Sequence, residues 1–280
     1  MNNLFLYFPQ WQGSGKTNEL FRGAKQIINK LNTYNWSEVP VVEQENLLIE
    51  NQILGYSSIS KQLEDATKII NNYNPEKIFT VGGGCDVEIA PVTYLNKQYD
   101  GNLSIIWLDA HGDLNTPTSS PSKNFHGMPL RTILGEGDST MLNYVSHPIK
   151  PDQIYLIGVR ELDRPENEYI QKNQLKVFQL ANEEVAIQLA STLENKNIYI
   201  HIDLDVIDPL EFPDVKCPTN QGISLHILTK FLSSIKNVGN IVGGSVVEYV
   251  PNDQKDSSDV PVELFKLLVD KSAPSSALLK

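Results

Sequence analysis

The sequence is poor in cysteine, in basic charge and in long apolar runs. Cys85 and Cys217 are the two cysteines in 280 residues, too few for a disulfide framework, so a reducing cytoplasm is the expected setting. Lys and Arg number 23 against 34 Asp and Glu, a net charge of -11 that argues against nucleic acid or an anionic membrane as partner. The apolar runs are strand length, which predicts no membrane span, and the N-terminus lacks the basic-then-apolar order of a signal peptide. Neither internal repeats nor a Pro/Gly-rich linker divide the chain. We therefore expect a single domain over 1–280, with 272–280 a weakly ordered tail.

What the chain does have is 40% hydrophobic content, laid out as short apolar runs alternating with helical periodicity. Leu4–Phe8, Lys77–Val81, Leu103–Leu108, Ile154–Val159, Lys176–Leu180, Asn197–Asp205 and Asn240–Val250 read as strands, and Val41–Val42 as a short extended piece. Phe21–Leu31, Ser57–Tyr73, His126–Leu134, Asn182–Leu193, Ser224–Ile235 and Val260–Lys271 read as helices. Strands alternating with helices predict an α/β fold around a parallel sheet. Function in such sheets collects at the carboxyl ends of the strands.

Two of those ends are unusually acidic. Asp109, His111 and Asp113 follow the strand Leu103–Leu108 at alternate positions. If strand geometry continues, all three side chains share one face, about 6 to 7 Å apart at successive steps. Asp203 and Asp205 repeat the spacing at the end of Asn197–Asp205, although aspartate is depleted in strands. Carboxylates and an imidazole converging on one sheet edge are costly without a cation, and a hard divalent metal accounts for them; unrelated polar residues at a solvated strand end are the plainer alternative. Four carboxylates are enough for two ions that share bridging ligands. A third strand, Lys77–Val81, runs into Gly82-Gly83-Gly84-Cys85, small residues that let the backbone approach a ligand. Gly13–Thr17 reads GSGKT, but Gln10 stands where a phosphate-binding loop has its first glycine, so a plain loop is expected.

DAHGDLN (Asp109–Asn115), SKNFHGMP (Ser122–Pro129) and DLDVIDP (Asp203–Pro209), in that order, resemble the signature blocks of the arginase (ureohydrolase) family. The resemblance extends from about Val81 to Pro251. It implies a three-layer α/β/α sandwich around a mostly parallel eight-stranded sheet, and a hydrolase of guanidino or formimino groups carrying two Mn2+ per chain. By the same resemblance Asp109 and Asp203 bridge both ions, Asp113 serves the first, and His111 and Asp205 complete the second. A metal-bridging hydroxide then attacks the guanidinium carbon. His126 matches the family's proton shuttle to the leaving amine, and Glu248 the glutamate that pairs with the guanidinium. Asn115 and Ser122, with Asp163 and Glu166, match positions that read an α-carboxylate and α-amino group, although each alone is also a plausible turn or cap residue. Together they favour L-arginine or a close guanidino acid over agmatine. The resemblance also implies a homo-oligomer, trimeric or hexameric.

The chain departs from the family pattern at three places. Tyr249-Val250-Pro251 replaces Val-Asn-Pro, and Arg164-Pro165 replaces Pro-Gly. The third is at the metals, where Cys85 stands in place of the histidine of the first site. A thiolate there favours Zn2+ or Fe2+ and raises the pKa of bound water. A buried thiol instead leaves the first site weakly filled, with Asp109, His111, Asp203 and Asp205 holding one ion. His201 shares the strand face of Asp203; a packed histidine is its simplest reading, a place behind the ligands the alternative. Cys217 reads as structural. The expected activity is release of urea from a guanidino acid. A formimidoylglutamase, another ureohydrolase of agmatinase type, and a metal-poor binding protein of the same fold stand as alternatives.

Overall fold

Strands rich in Leu, Ile and Val, apolar on both faces, need cover on both faces. The computed structural model, which describes residues 2–180 and 182–270, supplies it. In chain order the main elements are β1 (Asn3–Phe8), α1 (Glu19–Lys30), β2 (Trp36–Glu38), the two-residue strands β3 (Ile49–Glu50) and β4 (Ile53–Leu54), α2 (Tyr56–Tyr73), β5 (Lys77–Gly82), α3 (Ile89–Gln98) and β6 (Ser104–Leu108). They continue with α4 (Pro129–Ile133), β7 (Ile154–Ile157), α5 (Arg164–Asn173), β8 (Lys176–Phe178), α6 (Glu183–Ser191), β9 (Asn197–Asp203), α7 (Leu225–Val238), β10 (Asn240–Val247) and α8 (Asp259–Val269). Eight strands form one sheet in the order β2-β1-β5-β10-β9-β6-β7-β8, and every pairing in it is parallel.

Period-two alternation divides the sheet between two cores. Ile105, Trp107 and Tyr199 face Ile59 and Leu63 of α2, Val92 and Leu95 of α3, and Leu130 of α4. Ile106, Leu108, Ile198, Ile200 and Ile202 face Ile27 of α1, Leu189 of α6, Phe231 of α7 and Phe265 of α8. This is the expected three-layer α/β/α arrangement. Helix ends follow local chemistry: the Asn182 side chain accepts from Val185 N before α6, and the Ser224 hydroxyl from Ile227 N before α7.

The structure corrects several expected boundaries. His126 does not begin a helix; it lies in a 3-10 turn, Phe125–Gly127, and α4 starts at Pro129, where a missing N–H costs nothing. The short edge strand β2 was not anticipated. β10 stops at Val247, because Glu248 turns into the left-handed region at φ 65°. The expected tail, 272–280, lies outside the described residues.

Candidate metal centre

Strands β5, β10, β9 and β6 are neighbours at the centre of the sheet. Their carboxyl ends set Cys85, Glu248, the Asp203–Asp205 pair and the Asp109–Asp113 loop around one cavity of about 140 Å³. Every residue singled out above for metal or substrate lines that cavity except Asp109, which is buried at 1% exposure.

The acids are brought together by turns and not by the expected strand alternation. β6 ends at Leu108 and β9 at Asp203. Asp109 Oδ1 then accepts from His111 N at 2.6 Å, and Asp203 Oδ1 accepts from Asp205 N at 2.8 Å. Both are side-chain-to-backbone turns that aspartate makes readily. Asp205 Oδ1 also accepts from Ala110 N at 2.9 Å, which ties the two loops together. Asp113 reaches the cavity through a left-handed backbone at φ 53°, a conformation that aspartate tolerates better than most side chains.

On the β6–β9 side the groups already hold one another. His111 Nδ1 lies 2.8 Å from Asp205 Oδ2 and 3.6 Å from Asp109 Oδ1. Burial works against a charge on His111, but its hydrogen bonds to the two aspartates outweigh burial and raise its pKa. Trp107 Nε1 donates to Asp109 Oδ2 at 3.1 Å.

On the β5–β10 side the backbone comes very close. A Cβ on Gly83 would sit 1.8 Å from Gln10 O, and one on Gly84 would sit 2.4 Å from Ser14 Oγ; only glycine fits either place. Beyond them, Cys85 Sγ donates to Asp203 Oδ2 at 3.1 Å, and burial, followed by the nearby carboxylates, pushes its thiol well above the ordinary value. Glu248 Oε1 accepts from Ser14 Oγ at 3.1 Å and Cys85 N at 3.2 Å, and His126 Nδ1 lies 3.0 Å from it. Burial would lower the His126 pKa, but Glu248 more than offsets it and the pKa is raised. Glu248 Oε2 has no partner among the described residues, and neither does Asp113 Oδ2.

At the outer rim, Asn115 Nδ2 donates to Asp163 Oδ2 at 2.8 Å, and Asn115 Oδ1 accepts from Ser119 Oγ at 2.8 Å. Ser122 is exposed and accepts from Asn124 N at 3.2 Å. Glu166 is committed locally: Oε1 accepts from Leu114 N and Oε2 from Asp163 N, each at 2.9 Å. It therefore anchors the start of α5 and the Asp113 loop together. Cys217 lines the same cavity, with burial pushing its thiol up to about 12.

Reading the sequence missed four contributors. Ser14, in the GSGKT loop, donates to Glu248. Arg160 donates to Asp205 O at 2.6 Å and Thr219 O at 2.7 Å, and so fixes the loop behind the aspartates. Glu88 and Tyr199 join His201 in a buried group, with Tyr199 OH donating to Glu88 Oε2 at 2.6 Å and His201 Nδ1 3.1 Å from Glu88 Oε1. One signal was available: Glu88 is a lone acid in the apolar stretch Val87–Ala90.

The donor set fits divalent cations. Single ligand atoms of Asp109, His111 and Asp205 lie within 4.8 Å of one another; so do those of Cys85, Asp203 and Glu248, and those of Cys85, Asp109, Asp113 and His201. Asp113 and Asp203 are pushed well above the ordinary carboxylate range, and Asp205 to about 6, by burial first and then by neighbouring carboxylates, Asp109 foremost for Asp113 and Asp205, and Asp205 for Asp203. Buried acids that repel one another and leave oxygens unpaired are what a cation relieves.

The chain matches the model of the Arginase family over residues 14–268. It is 35% identical to an arginase of Staphylococcus aureus (strain MSSA476) across 67% of this chain and 66% of that one, so the match spans just under two thirds of that relative's length. It is 30% identical to the arginase of Bacillus subtilis (strain 168), over 84% of this chain and 83% of that one. The crystal structure of Entamoeba histolytica arginase in complex with L-ornithine superposes with a TM-score of 0.83 at 21% identity, covering 95% of this chain and 97% of that one.

Proposed function

Because the chain belongs to the arginase family, we propose that it is a metal-dependent hydrolase of the guanidino carbon–nitrogen bond, acting on L-arginine or a close guanidino acid. The observation that carries this reading is Glu248: a buried carboxylate whose Oε2 is unpaired, 3.0 Å through its other oxygen from His126, and set over the cluster of aspartates. A planar guanidinium is the cation such an oxygen orients best.

In this reading Asp109, Asp203 and Asp113, with Cys85 beside them, hold one ion, and Asp109, Asp203, His111 and Asp205 the other. Manganese is the proposed metal, and a single-domain chain in a cytoplasmic homotrimer or homohexamer is part of the same proposal. Two such ions would supply the charge that acidifies a water near neutral pH and makes it nucleophilic. Glu248 would pair with the guanidinium and orient its carbon. His126, whose protonated form Glu248 favours, would give a proton to the leaving amine. The rim selects the rest of the substrate. Asn115 and Asp163 present a polar pair to an α-carboxylate and α-amino group, with Ser122 beside them, and Glu166 keeps that rim in register through its bonds to Leu114 N and Asp163 N.

A substrate panel tests the assignment: urea release from L-arginine and agmatine, and formamide release from N-formimidoyl-L-glutamate. Arginine is expected to turn over best, and Asn115→Ala and Asp163→Ala to raise its KM at least about tenfold through lost hydrogen bonds to charged groups. Agmatine or the formimino substrate turning over faster, or arginine kinetics that ignore both substitutions, overturns the guanidino-acid assignment.

A further inference from the structure

His201 is fully buried, and its ring stacks on Trp107 with centroids 3.7 Å apart and planes at 22°. The parity of β9 puts it on the same face as Asp203. Its Nδ1 lies 3.1 Å from Glu88 Oε1 and 3.2 Å from Ser245 Oγ. The other Glu88 oxygen is taken by Tyr199 OH. A carboxylate accepts hydrogen bonds, so Nδ1 carries the ring hydrogen and Nε2 presents its lone pair.

That lone pair has no donor among the described residues. Asp109 Oδ2 is 3.9 Å from Nε2, and a ring nitrogen of His201 lies within 4.8 Å of ligand atoms of Cys85, Asp109 and Asp113, which are as close to one another. A protonated Nε2 would be too far from Asp109 for a hydrogen bond. A histidine present for packing has no reason to aim a bare nitrogen at two buried aspartates. A carboxylate on one ring nitrogen with the other free is the usual second-sphere support of a metal-bound imidazole. The family's histidine position holds Cys85, three residues before Glu88. The turn that places the cysteine therefore also places the residue that orients His201.

We propose that His201 is a metal ligand through Nε2, supplying to the ion held by Asp109 and Asp113 the nitrogen that position 85 lacks, with Glu88 as the positioning residue that fixes the ring. This rests on the reading that the cavity takes two divalent ions. The nitrogen would then come from β9, two strands from β5 in the sheet, and the Cys85 thiol would remain as a donor to Asp203.

Calorimetric titration of the metal-free full chain with Mn2+ tests it, alongside X-ray absorption on the Co2+-loaded wild type. Wild type should bind two ions, with two imidazoles shared between them, from His111 and His201. His201→Phe, which keeps the stack on Trp107, should lose one ion or weaken it at least about tenfold. Glu88→Gln should weaken the same ion less, and Cys85→His should restore the second ion to the His201→Phe chain. Two ions with a single imidazole between them overturns the proposal even if His201→Phe does not fold. Unchanged affinities in a folded His201→Phe chain overturn it too. Either result leaves the two-ion reading intact, whereas a wild type that binds no metal removes both.

Discussion

The two halves of the cavity are built on different terms. On the β6–β9 side, Asp109, His111 and Asp205 are bonded to one another and to backbone amides, with contacts of 2.6 to 2.9 Å. In the other half, Asp113 after β6, His201 on β9 and Glu248 after β10 each leave a buried polar atom without a partner among the described residues. Two of those three residues also adopt positive φ, 53° at Asp113 and 65° at Glu248. A left-handed backbone at a residue with a side chain costs roughly 1–2 kcal/mol. The first half is satisfied by its own hydrogen bonds; the second, among the described residues, is not. Unpaired polar atoms and strained backbone mark the part of a site whose partners are not protein.

Asp203 faces both halves and gives the largest expected effect. Asp203→Asn should weaken both ions by more than about 100-fold, beyond the range for outer-sphere partners, and abolish turnover; metal analysis after dialysis reads this directly. Glu248→Gln should keep both ions and lose about 10²–10³ in kcat/KM, the scale of removing one electrostatic contact to a reacting group. Loss of metal in that variant would mean that Glu248 is a ligand.

Stability separates the halves more finely. In the metal-free chain Asp205→Asn should cost about 1.5–3 kcal/mol, because its carboxylate bonds a charged His111 and the Ala110 amide. Asp113→Asn should cost nothing or stabilise, because it removes a buried carboxyl group that its neighbours keep from ionising and whose Oδ2 has no partner among the described residues, and asparagine tolerates the same backbone. Denaturant melts in chelator give both numbers, and equal destabilisation of the two variants would erase the contrast.

The smallest expected effect is on pH. Asp203 and Asp113 sit well above the ordinary carboxylate range and Asp205 at about 6, while His111 is also held protonated. An ion must displace these protons, so binding releases them, and affinity should fall as pH drops from about 7.5 to about 5.5. Titrations in buffers of different ionisation enthalpy measure the protons released. Uptake of protons, or affinity independent of pH, would contradict the assignment.

The fold was legible because its signal is collective. Alternating apolar runs and helical stripes predicted an α/β fold around a parallel sheet, the family resemblance implied its three layers, and the features both missed, β2 and the turn at His126, are too short to carry a period. At the site, residue identity was legible and geometry was not. His111, Asp113 and Asp205 were read as continuing the strand alternation, whereas Asp109 and Asp203 each turn the backbone at a strand end through a side-chain hydrogen bond, a local contact that periodicity cannot register. His201 was read as packing because its contact with Glu88 spans 113 positions in sequence. A relation between a strand and a distant turn is invisible to periodicity.

Metal stoichiometry measured together with urea release from L-arginine tests the central claim most directly. The account predicts two ions per chain after manganese loading, with turnover that chelation removes and manganese restores. One ion per chain and no urea, with the self-satisfied half filled and the other left bare, would contradict it.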